Sequence, residues 1–481
     1  MACLRPKSSA QKGIRWMRLS HGSSASSASF DDPNLVSVGG LAPVAALAQS
    51  CRLADLVADK LTLKATGGVN AQVKVPALVA GMVAGADSIA DMDLLRHGGM
   101  DRLFAGIRAP STLGTFLRSF TFGHVRQLDS IATAFLTGLA QAAPLLPGVD
   151  SVAFLDLDDT MRETHGYAKQ GAGYGYNKIK GLNALIATIS TPIAAPVIGA
   201  ARLRKGAVKS ARGAGTLLTE SLGTARACGA GGPDRRGLVL VRGDSAFYCH
   251  DVIATARRGG ARFSITARMD AAVTKAIAAI AEDAWTAIRY PQAVWDEQEQ
   301  CWISDAEVAE IEFTAFTSRR KADHITARLI VRRVRRLNPA SVPAGQSELF
   351  AAYRHHAVFT DSPQPMLAAE TTHRQHAVIE QVHADLKAGP LAHLPSGSFA
   401  ANSAWLALAA MAFNLTRAAG ALASTFHARA TTGTIRAQLI NVPARIARSA
   451  RRLRLHLPER WPWQTAWTQL FDATLGPPTA A

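Results

Sequence analysis

Cysteine is scarce in this chain of 481 residues. The five present, Cys3, Cys51, Cys228, Cys249 and Cys301, are scattered, and no two form a Cys-x2-Cys pair. That spacing excludes a zinc knuckle and a disulfide framework, and it fits a reducing compartment. Long apolar runs are missing too: nowhere do 18 uninterrupted apolar residues occur, so no membrane span is expected. The longest Ala-rich stretch, ANSAWLALAAMAFNLTRAAGALA, carries Asn402, Asn414 and Arg417 and reads as a buried helix. Acidic residues are in short supply, 36 Asp and Glu against 53 Lys and Arg, which leaves a formal net charge of +17. Such an excess speaks of partners and not of fold, and the first polyanion to consider is nucleic acid. The segment MACLRPKSSAQKGIRWMRLSHGSSASSAS has no acidic residue and no apolar core of a secretory signal. A transit peptide, a disordered arm and a start codon placed too early all fit it, so it stays outside the fold argument.

At about 150 residues per domain, the length predicts roughly three units. Residues 35–145 carry helical periodicity, with Pro110 and Ser111 as a helix start in PSTLGTFLRSF. This unit is either a DNA-binding module or plain helical packing. From 146 to 284 the texture is mixed α/β. SVAFLDLDDT, ETHGYA and LNALIATIS are strand candidates, KSARGAGTLLTESLGTARA is a helix, and GLVLVRGDSAFY, HDVIATARRGGA and RFSITARMD follow as strand, helix and strand. Residues 285–368 are mostly β, with period-two alternation in EIEFTAF and TARLIVRRV. The latter puts Arg328, Ile330 and Arg332 on one face and Leu329, Val331 and Arg333 on the other, as an edge or surface strand would have. Residues 369–440 return to helix, and 441–481 form a basic tail with RWPW. The densest basic runs are SRRKADHITARLIVRRVRR and ARIARSARRLRLHLPERWPW.

Within HRQHAVIEQVHADLK, a helix of about 100° per residue gathers His373, His376, Glu380, His383 and Lys387 into an arc of roughly 80°. Val378, Ile379, Val382 and Leu386 fall opposite. Taken alone, such a row is an ordinary wet helix face. It becomes the wall of a site only if carboxylates from elsewhere meet it. Two strands offer them. Asp156 and Asp158 lie two apart and project from one side of a strand, and Asp244 follows the apolar run LVLV. Carboxylates at the ends of buried strands are costly unless a cation meets them, and clusters of hard oxygen donors suit Mg²⁺ or Mn²⁺. Two such ions can drive phosphoryl transfer. Each Asp alone is more often a turn or cap residue.

VRGDSAFY with its following helix and RFSITARMD resembles the second-aspartate segment of bacterial insertion-sequence transposases of the DDE type. HRQHAVIEQVHADLK, running into GPLAHLPSGSFAANSAWLALAAMAFNL, resembles their third-carboxylate segment, described by a Tyr-x2-Arg-x3-Glu-x6-Lys signature. LDLDDT, with HGYAKQGAGYGYNKIKGLNAL and RLRKGAVKSARGAG behind it, resembles the first. Family thirteen-eighty of the insertion sequences is the closest in texture, including PSTLGTFLRSF and RWPW. The resemblance spans the chain from about residue 35 onward.

What the resemblance implies is a ribonuclease H-like α/β core, interrupted by the β-rich basic insertion and flanked by helical N- and C-terminal regions. Asp158, Asp244 and Glu380 would be the catalytic, metal-binding carboxylates for two Mg²⁺ or Mn²⁺ ions. Asp158 fits an Asp-x-Thr pattern with Asp159 and Thr160, while Asp156 is the alternative one strand repeat earlier. His373 and His376 stand where the signature has Tyr and Arg, and Lys387 fits its Lys. These three, with Arg332, Arg333, Arg335 and Arg336 of the insertion, would contact DNA. The activity implied is binding of terminal inverted repeats, strand cleavage and joining to target DNA, by a homodimer on the nucleoid in the bacterial cytoplasm. The alternatives are a ribonuclease H-like nuclease without strand transfer and an inactive, transposase-derived DNA-binding protein.

Overall fold

The computed structural model describes residues 20–21, 26–63, 68–165, 169–175, 178–288, 294–296, 301–303, 306–335, 353–449 and 452–476. Most of the N-terminal arm, at 1–19 and 22–25, lies outside the described residues. The central elements come from the β-branched and leucine-rich runs. They are β1 (Val152–Glu163), β2 (Lys180–Ser190), β3 (Val197–Lys205), β4 (Leu238–Gly243), β5 (Arg262–Thr266), β6 (Thr286–Ile288), β7 (Ala306–Ala315), β8 (Ile325–Arg335) and β9 (Tyr353–Thr360). With the short strand Gly173–Tyr174 they form one ten-stranded mixed sheet. β1 pairs in parallel with β4, and β4 with β5, while β2 and β3 are antiparallel to their neighbours. Beyond β5 the sheet continues through β9, β8, β7 and β6, all antiparallel. The fold class is thus α/β with a large mixed sheet.

Three sequence expectations change here. TARLIVRRV is not an edge strand: β8 runs between β7 and β9, and Leu329, Ile330 and Val331 are all buried, so both of its faces are covered. ETHGYA is not a strand of its own, since Glu163 closes β1 and residues 166–168 lie outside the described residues. β3 was hidden in VIGAARLRK, whose small residues and arginines blur the alternation. The β segment 285–368 shares one sheet with the core, because β9 pairs directly with β5.

Helices cover the sheet: α1 (Phe122–Ala142), α2 (Ala214–Ala227), α3 (His250–Arg258), α4 (Met366–Arg374), α5 (Val378–Lys387) and α6 (Phe399–Ala423). Among the described residues α6 is the one single helix long and apolar enough to cross a membrane, yet its sides are covered by α1, β3 and the helices Ala71–Ala84 and Gln464–Leu475. Its buried polar residues explain the interruptions in the apolar run. The β2–β3 register shifts between Ala187 and Thr188, passing over Gly199, while Ile198 stays opposite Thr188 on β2 and turns its other edge to α6. Asn414 meets both backbone groups of Ile198 there, accepting from its N–H at 2.8 Å and donating to its carbonyl at 2.9 Å. A buried amide is tolerated here because it is fully matched.

Candidate active site

β1 and β4 run in parallel and in step, Asp156 beside Arg242 and Leu157 beside Gly243. The next residues on the two strands are Asp158 and Asp244, so both leave the ladder together at its carboxyl end. That edge of an open α/β sheet is where ligands bind. Asp158 Oδ1 accepts the Asp159 N–H at 2.7 Å. Asp244 opens a short 3₁₀ turn, Ser245–Phe247, and accepts the Ala246 N–H at 2.9 Å. Burial pushes the Asp244 carboxyl above its ordinary range, with the charges of Asp158 and Asp159 adding to it, while the Ala246 bond and His376 pull the other way. Asp244 itself keeps exposed surface.

Asp156, one repeat earlier on the same side of β1, is spent. Arg242 donates to both of its oxygens, Nε to Oδ1 at 2.6 Å and Nη2 to Oδ2 at 2.8 Å. The third guanidinium nitrogen donates to the Thr372 carbonyl at 2.7 Å, and the group lies 4.1 Å over the Phe154 ring. Both residues are fully enclosed. Asp159 is likewise occupied, by Arg204, by Asn183 at 2.9 Å and by Ser210 at 3.1 Å.

The polar row is not one continuous wall. A 3₁₀ turn, Gln375–Ala377, breaks the helix between α4 and α5 and changes its phase. His373 is buried between two hydroxyls, Ser264 Oγ at 3.0 Å from Nδ1 and Thr266 Oγ1 at 2.9 Å from Nε2. Burial first, then the cations His376, Arg242 and Arg332, hold its pKa well below the usual histidine value. It is therefore neutral at pH 7, and with both nitrogens engaged it is removed from the set of phosphate contacts. His376 is half-buried, its Nδ1 2.6 Å from the His373 carbonyl, and it lies near enough to influence Asp244. Glu380 and Lys387 are exposed on α5. His383, which sequence reasoning left aside as a partly exposed helix residue, is buried with Nε2 3.2 Å from Asp158 Oδ2.

The Asp158–Asp244 pair fits a hard divalent cation: both are oxygen donors, adjacent, and mutually repulsive without one. Among the described residues, however, no group of three or more His, Cys, Asp or Glu is gathered so that it could hold a metal ion.

The basic strand also differs from expectation. Arg333 is buried, donating to Glu307 at 2.6 Å and to Glu282 at 2.8 and 3.0 Å, and it stacks on Trp285 and Tyr353. The register explains this, since Glu307 sits directly opposite on β7. Arg333 is withdrawn from the DNA contacts. Arg332 is largely buried and 3.6 Å from Glu370. Arg335 pairs through its backbone with Tyr353, and Arg336 lies outside the described residues. Arg333→Ala is expected to lower the melting temperature by roughly 2–4 °C and to leave the salt dependence of DNA affinity at the parent's slope. A slope flattened by about 0.9, read by fluorescence anisotropy over a salt series, would instead reveal a lost phosphate contact.

Sequence reasoning missed the Asp156–Arg242 pair, although its signal was there. Asp156 precedes Asp158 by two residues and Arg242 precedes Asp244 by two, so the parallel register that brings Asp158 and Asp244 together also sets Asp156 beside Arg242.

Comparison with known families gives one match. The model described as Transposase DDE domain group 1 matches residues 21–475. No curated protein matches the chain.

Proposed function

Because the chain belongs to the family of DDE-domain transposases, group 1, we propose that it binds the terminal inverted repeats of an insertion sequence, cleaves a DNA strand at each end and joins the freed 3′-hydroxyl to target DNA. The observation that carries this reading is the placement of Asp158 and Asp244 one residue beyond the last parallel pair of β1 and β4, Leu157 and Gly243. The strand order β3-β2-β1-β4-β5, with β2 alone antiparallel to both of its neighbours, is the pattern expected of a ribonuclease H-like core.

Asp158 and Asp244 would hold Mg²⁺ or Mn²⁺, and Glu380 would join them as the third carboxylate, presented one helical turn before His383. When bound, two such ions supply Lewis-acid polarisation of the scissile phosphate and make a neutral-pH nucleophile accessible. The chain's own residues do the rest. The Asp244 carboxylate, raised in pKa, gains most from a neighbouring cation. Exposed Lys387 and half-buried His376 offer donors to the phosphates flanking the cleavage point. A homodimer holding both element ends, working on nucleoid DNA in the cytoplasm, completes the reading.

The test is incubation of the purified protein with labelled element ends and Mg²⁺ or Mn²⁺, resolving nicked, cleaved and joined products. Joined product is the expected outcome. Cleavage without joining would favour a nuclease, and binding without either would favour an inactive DNA-binding protein.

A further inference from the structure

Buried polar atoms without partners are rare in folded chains, and His383 has two of them. Its ring is buried, and neither Nδ1 nor Nε2 makes a hydrogen bond. Yet Nε2 stands 3.2 Å from Oδ2 of Asp158, within ion-pair range though outside hydrogen-bond geometry. The other oxygen of that carboxylate is already taken up by the Asp159 N–H. Thus each oxygen of Asp158 faces one protein donor. α5 packs on β1, with Ile379, Val382 and Leu386 buried beside the imidazole, so the ring is fixed by the helix's apolar flank. An aliphatic side chain there would fill the same space without the desolvation cost of two orphaned nitrogens. Packing alone does not call for a histidine.

We propose that His383 is a positioning residue of the metal site: its Nε2, 3.2 Å from Asp158 Oδ2, takes up the hydrogen bond to that carboxylate when a divalent cation binds it together with Asp244, and so holds it in the receiving orientation. This rests on the metal-binding reading of Asp158 and Asp244 given above. Ligating carboxylates are oriented by outer hydrogen bonds, and loss of such a bond lowers metal affinity by about 10–100-fold.

The test is Mn²⁺ titration followed by electron paramagnetic resonance, on the full chain without DNA. His383→Ala is expected to weaken Mn²⁺ binding by about 10–100-fold, while His383→Gln, whose amide N–H reaches about as far as imidazole Nε2, stays within about threefold of the parent. Asp158→Asn serves as the control and loses Mn²⁺ affinity. Parent-like binding by His383→Ala, with Asp158→Asn weakened, overturns the role of His383 alone. Parent-like binding by Asp158→Asn overturns the metal reading beneath it, and the role of His383 falls with it. A Gln variant as weak as the Ala variant also overturns the inference, since it assigns the ring to packing only. Should His383→Ala fail to fold, His383→Asn replaces it: a short amide that cannot reach Asp158 must bind more weakly than Gln, and equal affinities count against the inference.

Discussion

Asp158→Ala and Asp244→Ala are each expected to abolish cleavage of a labelled element end while leaving binding of that end nearly intact. The two carboxylates follow the last parallel pair of β1 and β4, and removing either takes away one of the carboxylates that would hold the cation. Transition-state charge stabilisation by such an ion is worth several kcal/mol, so the loss of rate should be roughly a thousandfold or more. Affinity comes mainly from phosphate contacts spread over the interface, and loss of one carboxylate there removes only a local repulsion. Gel-shift and cleavage assays on the same preparation separate the two effects. Full cleavage by Asp244→Ala would sink the metal-site reading. Acidity should matter as well. The Asp244 carboxyl is raised above its ordinary range, so as pH falls it takes up a proton earlier than a free aspartate, and Mn²⁺ affinity should decline from that higher pH downward.

The second large effect concerns stability. Arg242→Ala leaves Asp156 as an uncompensated charge in a fully enclosed site and is expected to cost about 3–5 kcal/mol. In the reciprocal variant, Asp156→Ala, the guanidinium keeps only the Thr372 carbonyl and the Phe154 ring, with a loss of similar order. Replacing both together, Asp156→Leu with Arg242→Met, should recover most of that loss, because the pair's desolvation then disappears along with its attraction. Urea melts followed by circular dichroism measure all three. A parent-like melt for Arg242→Ala would show that the pair contributes nothing. The contrast with Asp158, two residues away, is the useful one: Asp158→Ala should melt like the parent and fail in chemistry, whereas Asp156→Ala should melt at a much lower urea concentration.

Much of this arrangement was legible in the residues. Period-two runs located β7 and β8, short apolar runs located β1, β2, β4 and β5, and the Ala-rich stretch was read as the buried helix that α6 is. The α/β class followed from that order. What could not be read was depth. His373 and Lys387 fall on one helical arc in sequence, yet one is buried under β5 hydroxyls and the other is exposed. A 3₁₀ turn at Gln375–Ala377 and the height of the neighbouring sheet decide this, and neither has a periodic signal. Arg333 misled for the same reason. A basic run names charges, but Glu282 and Glu307 come from 51 and 26 residues away, and only the β7–β8 register brings Glu307 opposite.

The position of α6 has one more consequence. The helix is shared property: the segments before residue 145, the sheet through β3, and the C-terminal helix Gln464–Leu475 all rest on it. A fragment beginning after residue 145 would present the flank that α1 and Ala71–Ala84 now cover, an apolar patch larger than soluble chains usually tolerate. The N-terminal helices are therefore part of the core and not a module that could be removed while the rest keeps its packing.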